Sequence, residues 1–337
     1  MCPPSCRGPN HQQITGQRNN VVLENRHTMK PEAQVAAFIN PRARGGFYRD
    51  HLAALSHQLR QRFPEIRITH WAPGIPIHRW VENISPGTQL VIAAGGDGTV
   101  RELAGALIRL GRNDIPLAII PLGTGNDIAT ELGVETIEGA LSVAATGTAI
   151  YRNAIEIELP CSASNPLHYA LLFTCAGPIV RAVTGTTEGL KRRFGKNWAY
   201  QLGVLRALPG FRRQPMNIEN ENGNRSELTL GVAIGVTEYI GGGSIRLFEK
   251  QHLKRDWLSL LDLGTLNLVE AAGQLPRLAG RASLNHPKIS YRTAKEIKLS
   301  SPKSLAIQAD GDQLGLLPAT IRLKKNALRL VAPNPKN

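Results

Sequence analysis

The chain has 337 residues, 42% of them hydrophobic, which is enough for two compact domains with cores of their own and excludes a disordered tail protein. Pro, Gly or charged residues interrupt every apolar run, so no stretch approaches the roughly 18 unbroken apolar residues that span a bilayer. The net charge of +14 is uneven: residues 1–150 carry 14 basic and 12 acidic side chains, residues 151–337 carry 26 and 14, and the second half therefore owns a positive field that suits a polyanion or the anionic face of a bilayer.

Residues 1–30 are polar, with Pro3, Pro4 and Pro9 and no apolar segment of the kind a secretory signal carries, and they read as a disordered extension of a cytoplasmic protein. The four cysteines, Cys2, Cys6, Cys161 and Cys175, form neither a Cys-x-x-Cys pair nor a dense disulfide framework. From residue 35 short apolar runs alternate with helical patterns. Strands are expected at 35–39, 66–68, 90–94 and 117–120, and helices over 52–63, 75–83, 100–108, 128–132 and 137–145, a βαβ succession that builds a parallel sheet. Beyond Ile150 the period becomes two, in Ile155, Ile157 and Leu159 and again from Leu228 to Val236. Further strands are expected at 168–174, 296–300, 305–309, 321–323 and 328–331, with one basic helix over 188–208. The reading is an α/β domain with a parallel sheet over 31–148, followed by an antiparallel β-sandwich domain over 149–333.

Three strand-to-helix junctions carry chemistry. Gly95, Gly96, Asp97, Gly98 and Thr99 join a buried strand to an amphipathic helix, where backbone without β-carbons and N–H groups at the helix start can meet a phosphate. Asp97 in that apolar turn suits Mg²⁺ on a nucleotide phosphate, although an Asp-Gly pair also makes a tight turn and caps a helix. The second junction, Pro121 to Asp127, offers Gly123, Thr124, Gly125 and the capping residues Asn126 and Asp127. At the third, Asn40 precedes Pro41, with Gly45 and Gly46 in reach of phosphates. Asp310-Gly311-Asp312 follows an alternating strand, where Asp-Gly alone favours a hairpin turn.

These junctions, in this order, resemble the diacylglycerol kinase catalytic-domain family, in the soluble bacterial lipid kinase branch related to sphingosine kinases. Gly95-Gly96-Asp97-Gly98-Thr99 with Glu102 matches the family's Gly-Gly-Asp-Gly-Thr-x-x-Glu, Pro121 to Asp127 its Pro-x-Gly-Thr-x-Asn-Asp, and Asp310-Gly311-Asp312 its Asp-Gly-Glu. The resemblance implies an ATP-dependent lipid kinase with an NAD kinase/diacylglycerol kinase-like fold, using ATP and Mg²⁺. The nucleotide set is then Asn40, Gly45, Thr69, Gly95, Gly96, Asp97, Gly98, Thr99, Glu102, Gly123, Thr124, Asn126 and Asp127. It implies further that Asp312 takes the proton of the lipid hydroxyl, and that Asp97 and Asp310 assist through the metal. The partner implied is a lipid at an anionic membrane surface, reached by peripheral association, with no specific nucleic acid and with room for a homodimer. Arg101 stands where the family commonly has Asn and is expected to add phosphate contacts; Asp312 replaces Glu; residues 175–180 lack the family's Gly-x-Gly-x-Asp; and residues 254–260 lack the second acid of an auxiliary Mg²⁺ site. An NAD kinase-like enzyme and a non-catalytic ATP-binding regulator are the competing readings.

Overall fold

The computed structural model describes residues 35–46, 51–72, 74–162, 166–181 and 212–334. The extension expected at 1–30 and the basic helix expected at 188–208 lie outside these described residues.

In the first half β1 (Val35–Ile39), β2 (Arg67–His70), β3 (Leu90–Gly95) and β4 (Leu117–Pro121) run parallel in the order β2-β1-β3-β4. β3 and β4 are unbroken apolar runs because both faces are covered, as parallel strands require. The connecting helices are α1 (Leu52–Arg62), α2 (Ile77–Glu82) and α3 (Asp97–Arg109); α4 (Asp127–Glu131) and α5 (Ile137–Thr146) follow β4. The helix expected over 75–83 starts at Ile77 because Pro76 is its N-cap. In α3, Val100, Leu103, Ala104 and Leu107 recur at helical spacing and are buried against the sheet. Thr136 caps α5 by accepting the Gly139 N–H at 3.0 Å.

The second half holds β5 (Thr148–Glu158), β6 (Leu167–Ala170), β7 (Phe173–Ala176), β8 (Gln214–Asn220), β9 (Gly223–Thr229), β10 (Val232–Gly235), β11 (Tyr239–Ile240), β12 (Ile245–Arg246) and β13 (Leu258–Asp262). After the short helices α6 (Leu268–Gly273) and α7 (Leu275–Ala279) come β14 (Ser290–Ala294), β15 (Glu296–Ser300), β16 (Ala306–Ala309), β17 (Asp312–Leu316) and β18 (Ala319–Ala332). One antiparallel sheet runs β14-β13-β10-β7-β16-β17; the other gathers β6, β5, β18, β15, β8 and β9. Ile155, Ile157, Ile218 and Ile321 from the second sheet close on Val232, Ile234, Leu260 and Ile307 from the first, forming the sandwich core.

The sheets of the two halves are not separate. β5 begins at Thr148, where the domain boundary was expected, and pairs with β18 from Thr148↔Ala332 to Glu158↔Thr320. Near its end β18 also joins β4 in parallel, at Leu330↔Leu117. The β5–β18 ribbon thus carries one sheet from the parallel region into the sandwich.

Three strands differ from the sequence expectation. The single strand expected over 168–174 is two, because the chain leaves one sheet after Ala170 and enters the other at Phe173. The alternating run from Leu228 to Val236 breaks at Gly231, whose φ of 128° ends β9 and starts β10 in the other sheet. Conversely, the strands expected at 321–323 and 328–331 are the one strand β18, with an irregularity between Lys324 and Leu328 and Asn326 at φ 47°.

Ile157 is fully buried in the ribbon, so Ile157→Ala should lower the unfolding free energy by about 2–5 kcal/mol, read from urea denaturation midpoints at unchanged slope.

Candidate functional site

The site lies at the carboxyl ends of three adjacent parallel strands, the position where open α/β sheets hold ligands. At the end of β1, Asn40 accepts the Arg42 N–H at 2.9 Å and donates to the Thr99 hydroxyl at 2.8 Å, tying the first loop to the start of α3. The turn that follows, Ala43–Gly46, holds Arg44, Gly45 and Gly46 at positive φ. At the end of β3, Gly95 lies under Thr99, whose side chain would be 2.6 Å from a β-carbon there. At the end of β4, Gly123 packs backbone to backbone on Gly96: a β-carbon on Gly123 would lie 2.5 Å from the Gly96 Cα. Asn126, at φ 57°, holds that loop by accepting the Gly123 N–H at 2.8 Å and donating to the Gly123 carbonyl at 3.0 Å. The first N–H groups of α3, which a helix leaves without internal partners, start at this glycine-lined floor.

The two acidic residues of these loops link elements. Asp97 accepts the Ile128 N–H at 3.1 Å, joining the first turns of α3 and α4. Asp127 accepts the Gly241 N–H at 2.8 Å and also the Gly242 N–H. Gly241 and Gly242 lie at φ 70° and 68°, a left-handed run whose successive N–H groups converge on an anion. Asp127, expected among nucleotide ligands, thus holds a glycine loop of the second half.

The far wall is the hairpin between β16 and β17. Ala309 pairs with Asp312, so Asp310 and Gly311 are the two central residues of its turn, at φ 46° and 98°, the backbone demanded by a two-residue hairpin. Asp310 accepts from Leu171 N–H at 2.7 Å, Leu172 N–H at 3.0 Å and Phe173 N–H at 2.9 Å. Its carboxyl is enclosed, and burial pushes it up to about 6 against the pull of those amides and of Arg101. Next to it, Asp312 accepts from Arg101 Nη2 at 3.0 Å and comes within 2.7 Å of where a Gly98 β-carbon would be. Arg101, expected to reach phosphate, is instead buried and turned to this carboxylate. Glu102, 3.9 Å from the same guanidinium, is raised by burial despite Arg101, with the Asp312 charge adding to the rise.

All of this faces one cavity of about 560 Å³. Asn40, Gly96, Asp97, Gly98, Thr99, Glu102, Gly123, Thr124, Asp127, Asp310 and Asp312 line it. Gly95, Asn126 and Gly45 support its loops without lining it, and Thr69 sits on β2 opposite Phe38, away from it. An apolar group completes one part of the lining: Phe173, Cys175, Ala233 and Leu261 from the outer face of the six-stranded sheet, with Ile240, Leu247, Leu278 and Leu284 around them, while Arg42, Arg44 and Arg246 also border the cavity. Sequence reading missed this chamber, whose residues alternate with sandwich-core neighbours in β7, β10 and β13. Cys175 there is a buried thiol pushed up to about 12 by burial, with Gln308 Nε2 donating to its sulfur at 3.0 Å, so it stays protonated at neutral pH and is no nucleophile.

The carboxylates do not form a metal cage. Asp310, named above as a metal ligand, turns both oxygens to three amides, Asp97 accepts from Ile128, and among the described residues no group of three His, Cys, Asp or Glu is placed to hold an ion. No helix among the described residues is long and apolar enough to cross a membrane.

Comparison with known proteins matches residues 34–155 to the diacylglycerol kinase catalytic domain and residues 180–332 to the YegS C-terminal NAD kinase beta sandwich-like domain. The "Probable lipid kinase YegS" of Escherichia coli (strain SMS-3-5 / SECEC) is 30% identical over 273 residues, covering 77% of this chain and 85% of the relative. That of Escherichia coli O127:H6 (strain E2348/69 / EPEC) is 29% identical over 272 residues, with the same coverage. A crystal structure of a diacylglycerol kinase from Bacillus anthracis str. Sterne, 21% identical, shares the fold with a TM-score of 0.65 over 90% of this chain and 97% of that one.

Two outcomes follow from this geometry. A β-carbon at residue 98 would press on the Asp312 carboxylate at 2.7 Å, so Gly98→Ala should displace the β16–β17 hairpin and lower the thermal midpoint of unfolding relative to wild type, read by calorimetry. An acid whose folded pKa is raised stabilises the fold in full below its unfolded value of 3.8, and that stabilisation is lost as pH rises through about 6. Relative to the non-titrating Asp310→Asn, the wild-type stability should therefore fall by about 3 kcal/mol between roughly pH 3.5 and 7, read from urea unfolding across the series; a pH-independent difference contradicts it.

Proposed function

The chain belongs to the diacylglycerol kinase catalytic-domain family, a family of lipid kinases, and from that premise we propose that it transfers the γ-phosphate of ATP to the hydroxyl of a lipid at a membrane surface. The observation that carries the reading is the two-part cavity: glycine-lined loops at one end, an apolar chamber at the other, and Asp312 among its lining. A polar acceptor such as NAD has no use for that chamber, whereas the end of a lipid does.

In this reading Gly96, Gly98 and Gly123 let the backbone approach the phosphates, and the N–H groups at the start of α3 face their charge. Thr99 and Asn40, already bonded to each other, fix the adjoining edge. Phosphoryl transfer needs in-line positioning and a carboxylate beside the attacking hydroxyl rather than a covalent enzyme intermediate. Asp312 takes the hydroxyl proton as the lipid oxygen bonds to the γ-phosphorus, and the bond to the β-phosphate breaks with its electron pair leaving on ADP. Asp310 holds the turn that carries Asp312. A divalent cation supplies neutralisation of phosphate charge when bound, and this donor set suits one borne by the nucleotide rather than by the protein. The basic excess of the second half favours approach to an anionic bilayer.

Incubation with γ-labelled ATP and either a total lipid extract or NAD tests the reading: label is expected in a lipid product, and label in NAD alone, or in neither, overturns it. Asp312→Asn should cut lipid phosphorylation by about 10²- to 10⁴-fold while ATP binding, measured by calorimetry, persists. Leu284→Glu, which sets a charge in the chamber wall, should likewise spare ATP binding and raise the KM for lipid.

A further inference from the structure

We propose that Arg101 is the positioning residue for Asp312, a role that rests on the kinase reading and goes beyond it. Arg101 lies on α3, one turn past Asp97, with only 7% of its surface exposed. Burying a guanidinium is costly unless it is paired, and its partner here comes from 211 residues away, across the junction of the two halves. Nη2 donates to Asp312 Oδ2 at 3.0 Å and lies 3.9 Å from Glu102 Oε1.

Asp312 needs such a partner. It is the first residue of β17, its side chain is 53% exposed, and no other donor among the described residues reaches it in the hydrogen-bond network. An exposed carboxylate at the mouth of a hairpin samples several rotamers, whereas a base must sit within a few tenths of an ångström of its acceptor. The guanidinium selects one rotamer by drawing Oδ2 against α3, where Gly98 leaves the room, and Oδ1 is the oxygen left to receive a proton. Arg101 is itself buried in the first turns of α3, where it pairs with Asp312 and lies near Glu102, and its charge also pulls against the rise of Asp310.

Two of the positions at which this chain departs from the family motifs, Arg for Asn at 101 and Asp for Glu at 312, are in direct contact. Asp shortens the base by one methylene, and the long Arg reaches from the opposite wall to hold it.

The test is a kinetic cycle of wild type, Arg101→Asn, Asp312→Glu and the double variant R101N/D312E, with ATP binding measured by calorimetry and folding by melting temperature. Arg101→Asn should lower kcat about 100-fold with the KM and affinity for ATP within about twofold of wild type, since a misplaced base costs rate and not nucleotide binding. The double variant should recover at least about tenfold over Arg101→Asn, a rescue that a purely structural role would not give. Arg101→Lys, which keeps a cation on a shorter fork, guards against a folding failure and should fall between wild type and Arg101→Asn. A wild-type kcat in Arg101→Asn, a matching loss of ATP affinity, or a double variant no better than the single ones overturns the proposal. A wild-type chain that phosphorylates no lipid overturns instead the kinase reading beneath it.

Discussion

Asp310 occupies a left-handed turn with its carboxylate among the amides of Leu171, Leu172 and Phe173, and the placement of much of the cleft follows from that arrangement. Those amides belong to the two residues between sheets and to the first residue of β7, so they have no strand partners there, and the carboxylate satisfies them. The same contact fixes the hairpin that presents Asp312 and sets the start of β7, whose Phe173 and Cys175 form the chamber floor. One buried carboxylate therefore locates both Asp312 and the apolar surface of the chamber. Gln308 reinforces it from one residue before the strand end, accepting the Gly311 N–H at 2.6 Å while donating to Cys175.

Anions meeting backbone N–H groups recur throughout the site. Asp97 holds the first turn of α4, and Asp127 holds the left-handed glycines at 241 and 242. The loop after β3 is thus fastened to α4, and the loop after β4 to the second half, through charge-assisted bonds to main chain, which are stronger than neutral ones and independent of side-chain rotamers at the donor. Arg101 and Asp312 instead join charge to charge across the halves. Where the loops of the first half touch each other, at Gly96 and Gly123, the contact is instead bare backbone.

The parallel sheet was legible because β1, β3 and β4 are runs of apolar residues, β1 followed by Asn40, β3 ending at Gly95 and β4 at Pro121, and because α3 repeats its apolar positions without interruption. The sandwich was legible as a period of two, but not its sheet assignments: nothing in Ala170-Leu171-Leu172-Phe173 marks a crossing, since all four residues are buried and apolar on either side of it. The β8–β9 hairpin turns through Glu221 and Asn222, with Gly223 at φ 130° pairing with Asn220. Among site residues, the glycine loops and the acids were found by motif. The roles of Asp127 and Arg101 depend on partners 114 and 211 residues away, which no local pattern encodes. The chamber escaped for a related reason, because residues facing outward from a sandwich sheet look in sequence like the polar-free back of any buried strand.

The ribbon of β5 and β18 bears on how such a protein is made and recombined. β5 reaches the parallel sheet only through β18, so a ribosome that has emitted everything up to residue 155 has produced β4 with an open flank and β5 with nothing to lie against. Closure waits for Leu330, 175 residues further on (330 − 155), and the exposed edge is a hazard for strand exchange with another nascent copy. For the same reason the matched catalytic segment is not a portable cassette: grafted elsewhere without a surrogate for the final strand, it would carry its glycine loops on an unfinished sheet.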